Sequence, residues 1–396
     1  MVKDAFIVDA EKLLYGGDAL ARRGDGKAVF IPYALSGDRL LVRAIAEKKN
    51  FVRAEILEIL TPGDGRVAPA CPHFGKCGGC HWQHVEYSRQ IEAKRLILEE
   101  LFRHRFPETG QMTIAMRPCP RPFGYRSRAR LRYRAGDKTA VGFFRGGSHF
   151  IENIENCPLL LPRLNDALRS LRRIPLERLK ANSRNHIQEI DIACSEEDGK
   201  WATTKDGDKT PLRKTFGDFT YNVTAGTFFQ ANDFMTGALV SHVMECVSQN
   251  SGEALDLFSG VGLFSLPLSR RFRAVTAVEY SRESHRLCEM NAARSGIENL
   301  KAVRGDAAGW LNSQTSPRFD CVVLDPPRAG AGSGVMEQAG RLASKTIVYV
   351  SCDPQTLVRD LERLDSNCWR IVSVTGFDMF PQTYHFETVV TLLKSA

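Results

Sequence analysis

No uninterrupted apolar stretch in this 396-residue chain approaches the roughly 20 residues needed to cross a bilayer. The first twenty residues carry Asp4, Asp9, Glu11 and Asp18 where a secretory signal would place its apolar centre. We therefore expect a cytoplasmic protein with no membrane partner. Internal repeats and low-complexity tracts are absent, and 43% apolar with 25% charged residues leaves an ordinary globular composition rather than a disordered or collagenous one. Eleven cysteines are too few and too unevenly spaced for a disulfide scaffold, so their clustering points to metal or catalysis. A charge excess is nearly lacking too. The 54 basic and 46 acidic residues leave +8, which implicates a polyanion only if it is concentrated in one place.

At ~150 residues per domain the length suggests two or three domains. Residues 1–60 alternate short apolar runs with turn signals at Gly16-Gly17, Gly24-Asp25-Gly26 and Ser36-Gly37-Asp38, the pattern of a small β-barrel. Thr61-Pro62-Gly63-Asp64-Gly65 reads as a linker. A middle unit, 61–230, carries cysteine clusters, a polar helix from Tyr87 to Arg103 and basic strands. In 231–396, strand-like runs at 254–258, 275–280, 301–303, 320–324 and 346–351 alternate with helix-like segments, which predicts a doubly wound parallel α/β sheet. Runs at 369–374 and 388–393 are candidate terminal strands.

Asp256, Gly260 and Gly262 fall where the first of these strands turns into a helix, and glycine there lets a ligand approach the backbone. About 20 residues later the second strand ends in Glu279, placed to accept hydrogen bonds from ribose hydroxyls. A dinucleotide fingerprint would want a third glycine at position 265, which is Ser265; that, with Asp256 ahead of the glycines, favours S-adenosyl-L-methionine over NAD. Asp325-Pro326-Pro327 ends the fourth strand, at the edge where open α/β sheets bind ligands. Asp306, beyond the third strand, completes the expected cofactor set.

The strand from Ile347 carries Cys352 at its tip, just before a helix expected from Pro354, and helix N-termini favour thiolate. The segment Phe377-Asp-Met-Phe-Pro381-Gln-Thr-Tyr-His385-Phe-Glu387 then feeds a final strand. These blocks, with Asp325-Pro-Pro-Arg328-Ala-Gly330 and Thr227-Phe-Phe-Gln230-Ala-Asn232, resemble the RNA 5-methyluridine methyltransferases acting on transfer or ribosomal RNA. The resemblance runs through most of the chain. It implies Cys352 as nucleophile and Glu387 as base, with Gln230, Phe258, Glu279 and Asp325 around the cofactor or target base. It also makes the N-terminal barrel similar to a TRAM domain, a second RNA-contacting surface. The chemistry needs such residues: carbon 5 of uracil is a poor nucleophile until a thiolate adds at carbon 6, and a base must then remove the carbon 5 proton. Leu263 and Asp353 depart from the family pattern, standing where many relatives carry Asn.

Cys71, Cys77 and Cys80 are spaced C-x5-C-x2-C around Gly78-Gly79, and Cys157, followed by proline, suits a fourth ligand. Spacing alone leaves zinc open beside iron–sulfur. The resemblance implies a 4Fe-4S cluster, which a branch of the family carries on matching cysteines and which tilts the expected target toward ribosomal RNA. We expect the cluster to shape the fold or the RNA surface rather than carry electrons, the protein to be a monomer, and the nearby His73, His81 and His84 to be polar loop residues.

Residues 101–135 hold nine arginines, no lysine and one acid, Glu108, so this window alone is +8 and the remaining 361 residues sum to zero. Arg126, Arg128, Arg130, Arg132 and Arg134 alternate with period two, which on a strand puts five guanidinium groups on one face as a stripe for RNA phosphates. Pairing with acids such as Glu152, Glu155 and Asp191 is the competing structural role. Two other functions fit parts of the pattern: amino-group methylation, which needs no thiol, and a non-catalytic iron–sulfur RNA-binding protein, for which intact Cys352 and Glu387 would be superfluous.

Overall fold

The computed structural model describes residues 5–110, 112–134, 139–173, 187–247, 252–315 and 319–395. Strands β1 (Ala5–Leu13), β2 (Ala19–Arg22), β3 (Ala28–Ile31), β4 (Arg39–Glu47) and β5 (Phe51–Thr61) close into a barrel in the order β1-β2-β3-β5-β4. Small and branched residues that alternate along these strands, among them Ala19, Ala21, Val29, Ile31, Leu40 and Val42, fill its interior. Fully buried Asp38 ties the barrel to the linker: its carboxylate accepts from Leu35 N (2.6 Å) and Gly63 N (2.8 Å) and pairs with Arg66.

Helix α1 (Tyr87–Arg105) and the short strand β6 (Ala115–Arg117) follow. An antiparallel sheet comes next, built from β7 (Arg128–Arg134), β8 (Ala140–Phe144), β9 (Ile151–Asn153), then helix α2 (Pro162–Arg172), then β10 (Ile187–Ser195) and β11 (Lys200–Thr203), in the order β11-β10-β7-β8-β9. Ala129, Leu131 and Tyr133 face the core against α2 while the arginines between them point away. A hairpin of β12 (Leu212–Phe216) and β13 (Phe219–Val223) and helix α3 (Asp233–Cys246) lead into the largest unit.

That unit runs β14 (Glu253–Leu257), α4 (Ser265–Leu268), β15 (Ala274–Glu279), α5 (Arg282–Arg294), β16 (Leu300–Arg304), α6 (Ala307–Asn312), β17 (Phe319–Leu324), α7 (Val335–Leu342), β18 (Ala343–Ser351), α8 (Pro354–Leu361), β19 (Trp369–Phe377) and β20 (Glu387–Lys394). Its eight strands are ordered β16-β15-β14-β17-β18-β20-β19-β6. The β14 to β18 strands are parallel; β14, β15, β17 and β18 are largely apolar and buried, as cover on both faces requires, whereas the edge strand β16 carries Lys301 and Arg304 and has no buried residue. Because the sheet grows in opposite directions from β14, the carboxyl ends of β14 and β17 flank the crevice where such sheets bind ligands. The far edge strand, β6, comes from more than a hundred residues upstream of this unit and pairs in parallel with β19.

Candidate active site and cysteine site

The loop after β14 is bent for a ligand. Phe258 (φ +61), Gly260 (φ +56) and Gly262 (φ +95) all occupy the left-handed region. A side chain at Gly262 would strike Leu266, whereas one at Gly260 would meet open space. Glu279 clamps the loop, its two carboxylate oxygens accepting from Gly260 N (2.9 Å) and Ser281 N (2.7 Å). Buried Asp256 accepts from the Ser265 hydroxyl, but its other oxygen and the hydroxyl of Ser259 lack partners among the described residues. Orphaned polar atoms beside an open glycine loop fit a polar group of a bound cofactor. Asp306 is exposed and caps α6 through Gly309 N (2.9 Å). Tyr280, next to Glu279, is 77% exposed, and Phe228, two residues before buried Gln230, is 70% exposed.

Cys352 follows β18 at the start of α8, whose cap is Asp353, accepting from Gln355 N and Thr356 N (2.9 and 3.2 Å). An acid here suits the positive end of the helix, which accounts for Asp353 in place of Asn. Tyr15, from the barrel's β1–β2 loop, donates to the same carboxylate (3.2 Å) and packs edge-on against Tyr384, His385 and Phe386. Glu387 opens β20, opposite Phe377 of β19. Burial and the neighbouring charge of Asp325 push the Glu387 carboxyl well above the carboxylate range, and burial with the field of Asp256 brings Asp325 up to about 7. Cys352 lies in the same field: burial, Glu387 and Asp325 push its thiol up to about 12, opposed by the charge of Arg328. The pull toward thiolate expected from a helix N-terminus is thus opposed by desolvation and two acids.

Cys71, Cys77, Cys80 and Cys157 line one cavity of about 20 Å³, with Gln83 and Arg126 at its wall. None is in a disulfide. Gln83 bridges the set, its amide donating to Cys80 Sγ (3.2 Å) and its oxygen accepting from Cys71 N (3.0 Å). Four thiols converging on a small space, with N–H donors aimed at sulfur, fit an iron–sulfur group. Among the described residues no three His, Cys, Asp or Glu side chains are grouped for a single metal ion. His73 pairs with Glu152 (2.9 Å), whereas His84 is buried and bonded to Ala34 O (3.2 Å), so it is part of the core rather than a polar loop residue.

Beside this site runs a groove of about 1050 Å³ between the barrel and the β7–β8 sheet, lined by Arg53, Arg130, Arg132, Arg145, Phe144 and several glycines.

Over residues 163–395 the chain matches the family described as tRNA (Uracil-5-)-methyltransferase. It is 31% identical to an uncharacterized RNA methyltransferase of Thermotoga maritima over 98% of each chain. The chain belongs to the tRNA (uracil-5-)-methyltransferase family. A 23S rRNA (uracil(1939)-C(5))-methyltransferase of Shewanella sediminis is 32% identical over 96% of this chain and 94% of that one. The crystal structure of Pyrococcus abyssi tRNA (uracil-54, C5)-methyltransferase with S-adenosyl-L-homocysteine shares the fold, with a TM-score of 0.76 and 23% identity over 97% of this chain and 99% of that one.

As a member of this family the protein is an S-adenosyl-L-methionine-dependent RNA (uracil-5-)-methyltransferase. In this methyltransferase the arginine stripe is not the free phosphate rail that its spacing suggested. Arg128 turns inward and donates to the carbonyls of Ala225 (3.0 Å), Thr227 and Phe229 (3.5 Å), holding the loop that carries Gln230. Arg130 pairs with Asp191 (2.8 Å), and Arg132 with Glu189 while lying over the Phe144 ring. Sequence reasoning also passed over Tyr15, Phe228 and Tyr280. Two exposed aromatics beside strand-end ligands were the available signal for the last two; Tyr15 gave none.

Proposed function

We propose that this enzyme transfers the methyl group of S-adenosyl-L-methionine to carbon 5 of a specific uridine in structured RNA, with 23S ribosomal RNA as the target, through a covalent adduct of Cys352. The convergence of Cys352, Glu387 and Asp325 at neighbouring strand ends carries this reading. S-Adenosyl-L-methionine, when bound, supplies an electrophilic methyl group. Gly260, Gly262, Glu279, Phe258 and Asp306 surround its place at the end of β14 and β15, and the exposed ring of Tyr280 offers a stacking face for its base.

The Cys352 thiol gives its proton to solvent as its sulfur bonds to carbon 6 of uracil, and the displaced π electrons move toward carbon 5 and the carbon 4 carbonyl, which makes carbon 5 nucleophilic. Once carbon 5 carries the methyl group, the Glu387 carboxylate takes its proton. The C–H electrons re-form the ring double bond and the carbon–sulfur bond returns its pair to Cys352. Asp325 and Gln230 orient the uracil edge, and Phe228 gives an unstacked neighbour a face to rest on.

For the cysteine set we assign a 4Fe-4S cluster on Cys71, Cys77, Cys80 and Cys157. A cluster spreads four thiolates over four irons, which suits four cysteines lining one cavity with the Gln83 amide donating to Cys80 Sγ. The cluster and the ribosomal relative favour ribosomal over transfer RNA. The groove of Arg130, Arg132, Arg145 and Phe144 suits an RNA backbone with unstacked bases. We also hold the protein to act as a cytoplasmic monomer.

The test is incubation with S-adenosyl-L-methionine and transcripts of 23S ribosomal RNA or transfer RNA containing 5-fluorouridine. A denaturant-stable adduct on the ribosomal transcript, lost in Cys352→Ala, is expected. No adduct, or one surviving in Cys352→Ala, refutes the mechanism; an adduct on transfer RNA alone refutes the target.

A further inference from the structure

The segment joining β19 to β20 leads directly into the proposed base and is gripped at four successive carbonyls. Asn232 Nδ2 donates to Met379 O (3.1 Å), Lys94 Nζ to Phe380 O (3.2 Å) and the Tyr125 hydroxyl to Pro381 O (3.1 Å). The backbone N–H groups of His81 and Trp82, directly after Cys80, both donate to Gln382 O (3.0 Å each). These donors come from the start of α3, from α1, from the segment before β7 and from the cysteine loop.

Gln382 is the pivot of this arrangement. It is 3% exposed and adopts φ +69, a conformation that is costly for a residue with a side chain and persists only where the surroundings over-determine it. Its partner is fully buried Gln90 of α1, and the pairing is reciprocal: Gln382 N donates to Gln90 Oε1 (2.9 Å) and Gln90 Nε2 donates to Gln382 Oε1 (2.9 Å). Beyond it, Thr383 Oγ1 donates to Phe380 O (2.8 Å) and accepts from His385 N (3.1 Å), so the turn is bonded almost to Glu387 itself.

We propose that Gln382, locked by Gln90, is a positioning residue for the catalytic base: it sets the direction in which the chain enters β20 and so aims Glu387 at the carbon 5 proton. This rests on the reading of Glu387 as base. Cys352 hangs from β18 and α8, to which none of these bonds runs. Loosening the pivot should therefore spare carbon–sulfur bond formation and methyl transfer while slowing proton removal and release of the thiol.

Gln90→Leu removes both bonds to Gln382, together with those that Gln90 Nε2 donates to Trp82 O (3.1 Å) and Val85 O (2.8 Å), with a side chain suited to burial. Gln382→Gly removes the amide from the other side and keeps the left-handed backbone, which glycine adopts freely. Both variants, with Glu387→Gln as reference, are given S-adenosyl-L-methionine and transcripts of 23S ribosomal and transfer RNA made with uridine or with 5-fluorouridine, whose fluorine no base can remove. Trapping on 5-fluorouridine RNA is expected within about twofold of the unaltered enzyme, while turnover on uridine RNA falls roughly ten- to a hundredfold. A methylated, denaturant-resistant RNA adduct should accumulate on uridine RNA, as in Glu387→Gln. Trapping and turnover falling together, or turnover unchanged, overturns the proposal. Failure of Glu387→Gln itself to accumulate adduct overturns the assignment of the base on which the proposal rests.

Discussion

Asp256 is a wholly buried carboxyl at the centre of the large sheet, and burial raises it from the ordinary 3.8 to about 7. A raised carboxyl is neutral in the folded protein while the unfolded chain ionises, so its contribution to stability is complete below about pH 4 and is lost as pH climbs to about 7. The shift corresponds to roughly 4 kcal/mol across that interval. Asp256→Asn, which still accepts from Ser265, should therefore melt at a higher temperature than the unaltered protein at pH 8, with the gain shrinking at pH 4.5; a gain independent of pH would count against this. Asp256, Cys352 and Asp325 were legible in the sequence because their types and their places at strand ends suffice to suggest their chemistry. Gln90, Lys94 and Tyr15 were not, because each acts on a residue 284 to 338 positions away and an isolated sequence carries no trace of that contact.

Helix α1 shows the same limit for a whole element. Its buried stripe is Gln90, Lys94, Leu98 and Phe102, half of it polar, so the sequence reads as a solvated helix. In the fold Lys94 and Asp378 form a wholly buried ion pair (2.6 Å), with the Tyr87 hydroxyl on the same carboxylate (2.7 Å). Strand β7 was legible in its alternation, but its arginines divide by function. Arg128→Ala should strand three carbonyls, lower stability by roughly 1–3 kcal/mol and reduce turnover, leaving the salt dependence of RNA binding unchanged. Arg130→Ala, at an exposed pair on the groove wall, should leave stability unchanged and lower the salt slope by about 1. Melting curves and binding titrations across salt concentration separate the two; the opposite assignment would restore the simple phosphate stripe.

At the scale of the molecule, the cysteine loop is a junction. Gly78 N bonds to Phe144 O of the central sheet (2.9 Å), Trp82 Nε1 donates to Gly17 O of the barrel (3.0 Å), and His81 and Trp82 hold the catalytic loop. Metal binding at such a point adds its free energy to the folded state. Cys77→Ser and Cys80→Ser proteins should contain neither iron nor labile sulfide, melt at lower temperature and be cut faster by protease between 61 and 90. Full metal content in either variant would remove that cysteine from the ligand set. The alternating βαβ rhythm made the catalytic sheet readable, whereas this junction is assembled from three distant segments and no local pattern announces it.

The upstream origin of β6 also governs how the chain can be made. Its only sheet partner among the described residues is β19, which begins at Trp369. At roughly 5–20 residues per second, a ribosome needs on the order of ten to fifty seconds to travel from Arg117 to that point. Throughout that interval β6 lacks its strand partner, and α1, though it can pack on the barrel, lacks Asp378 and Gln382 for Lys94 and Gln90. A gene fragment beginning at 231 would reverse the problem, leaving β19 as a bare sheet edge open to self-association.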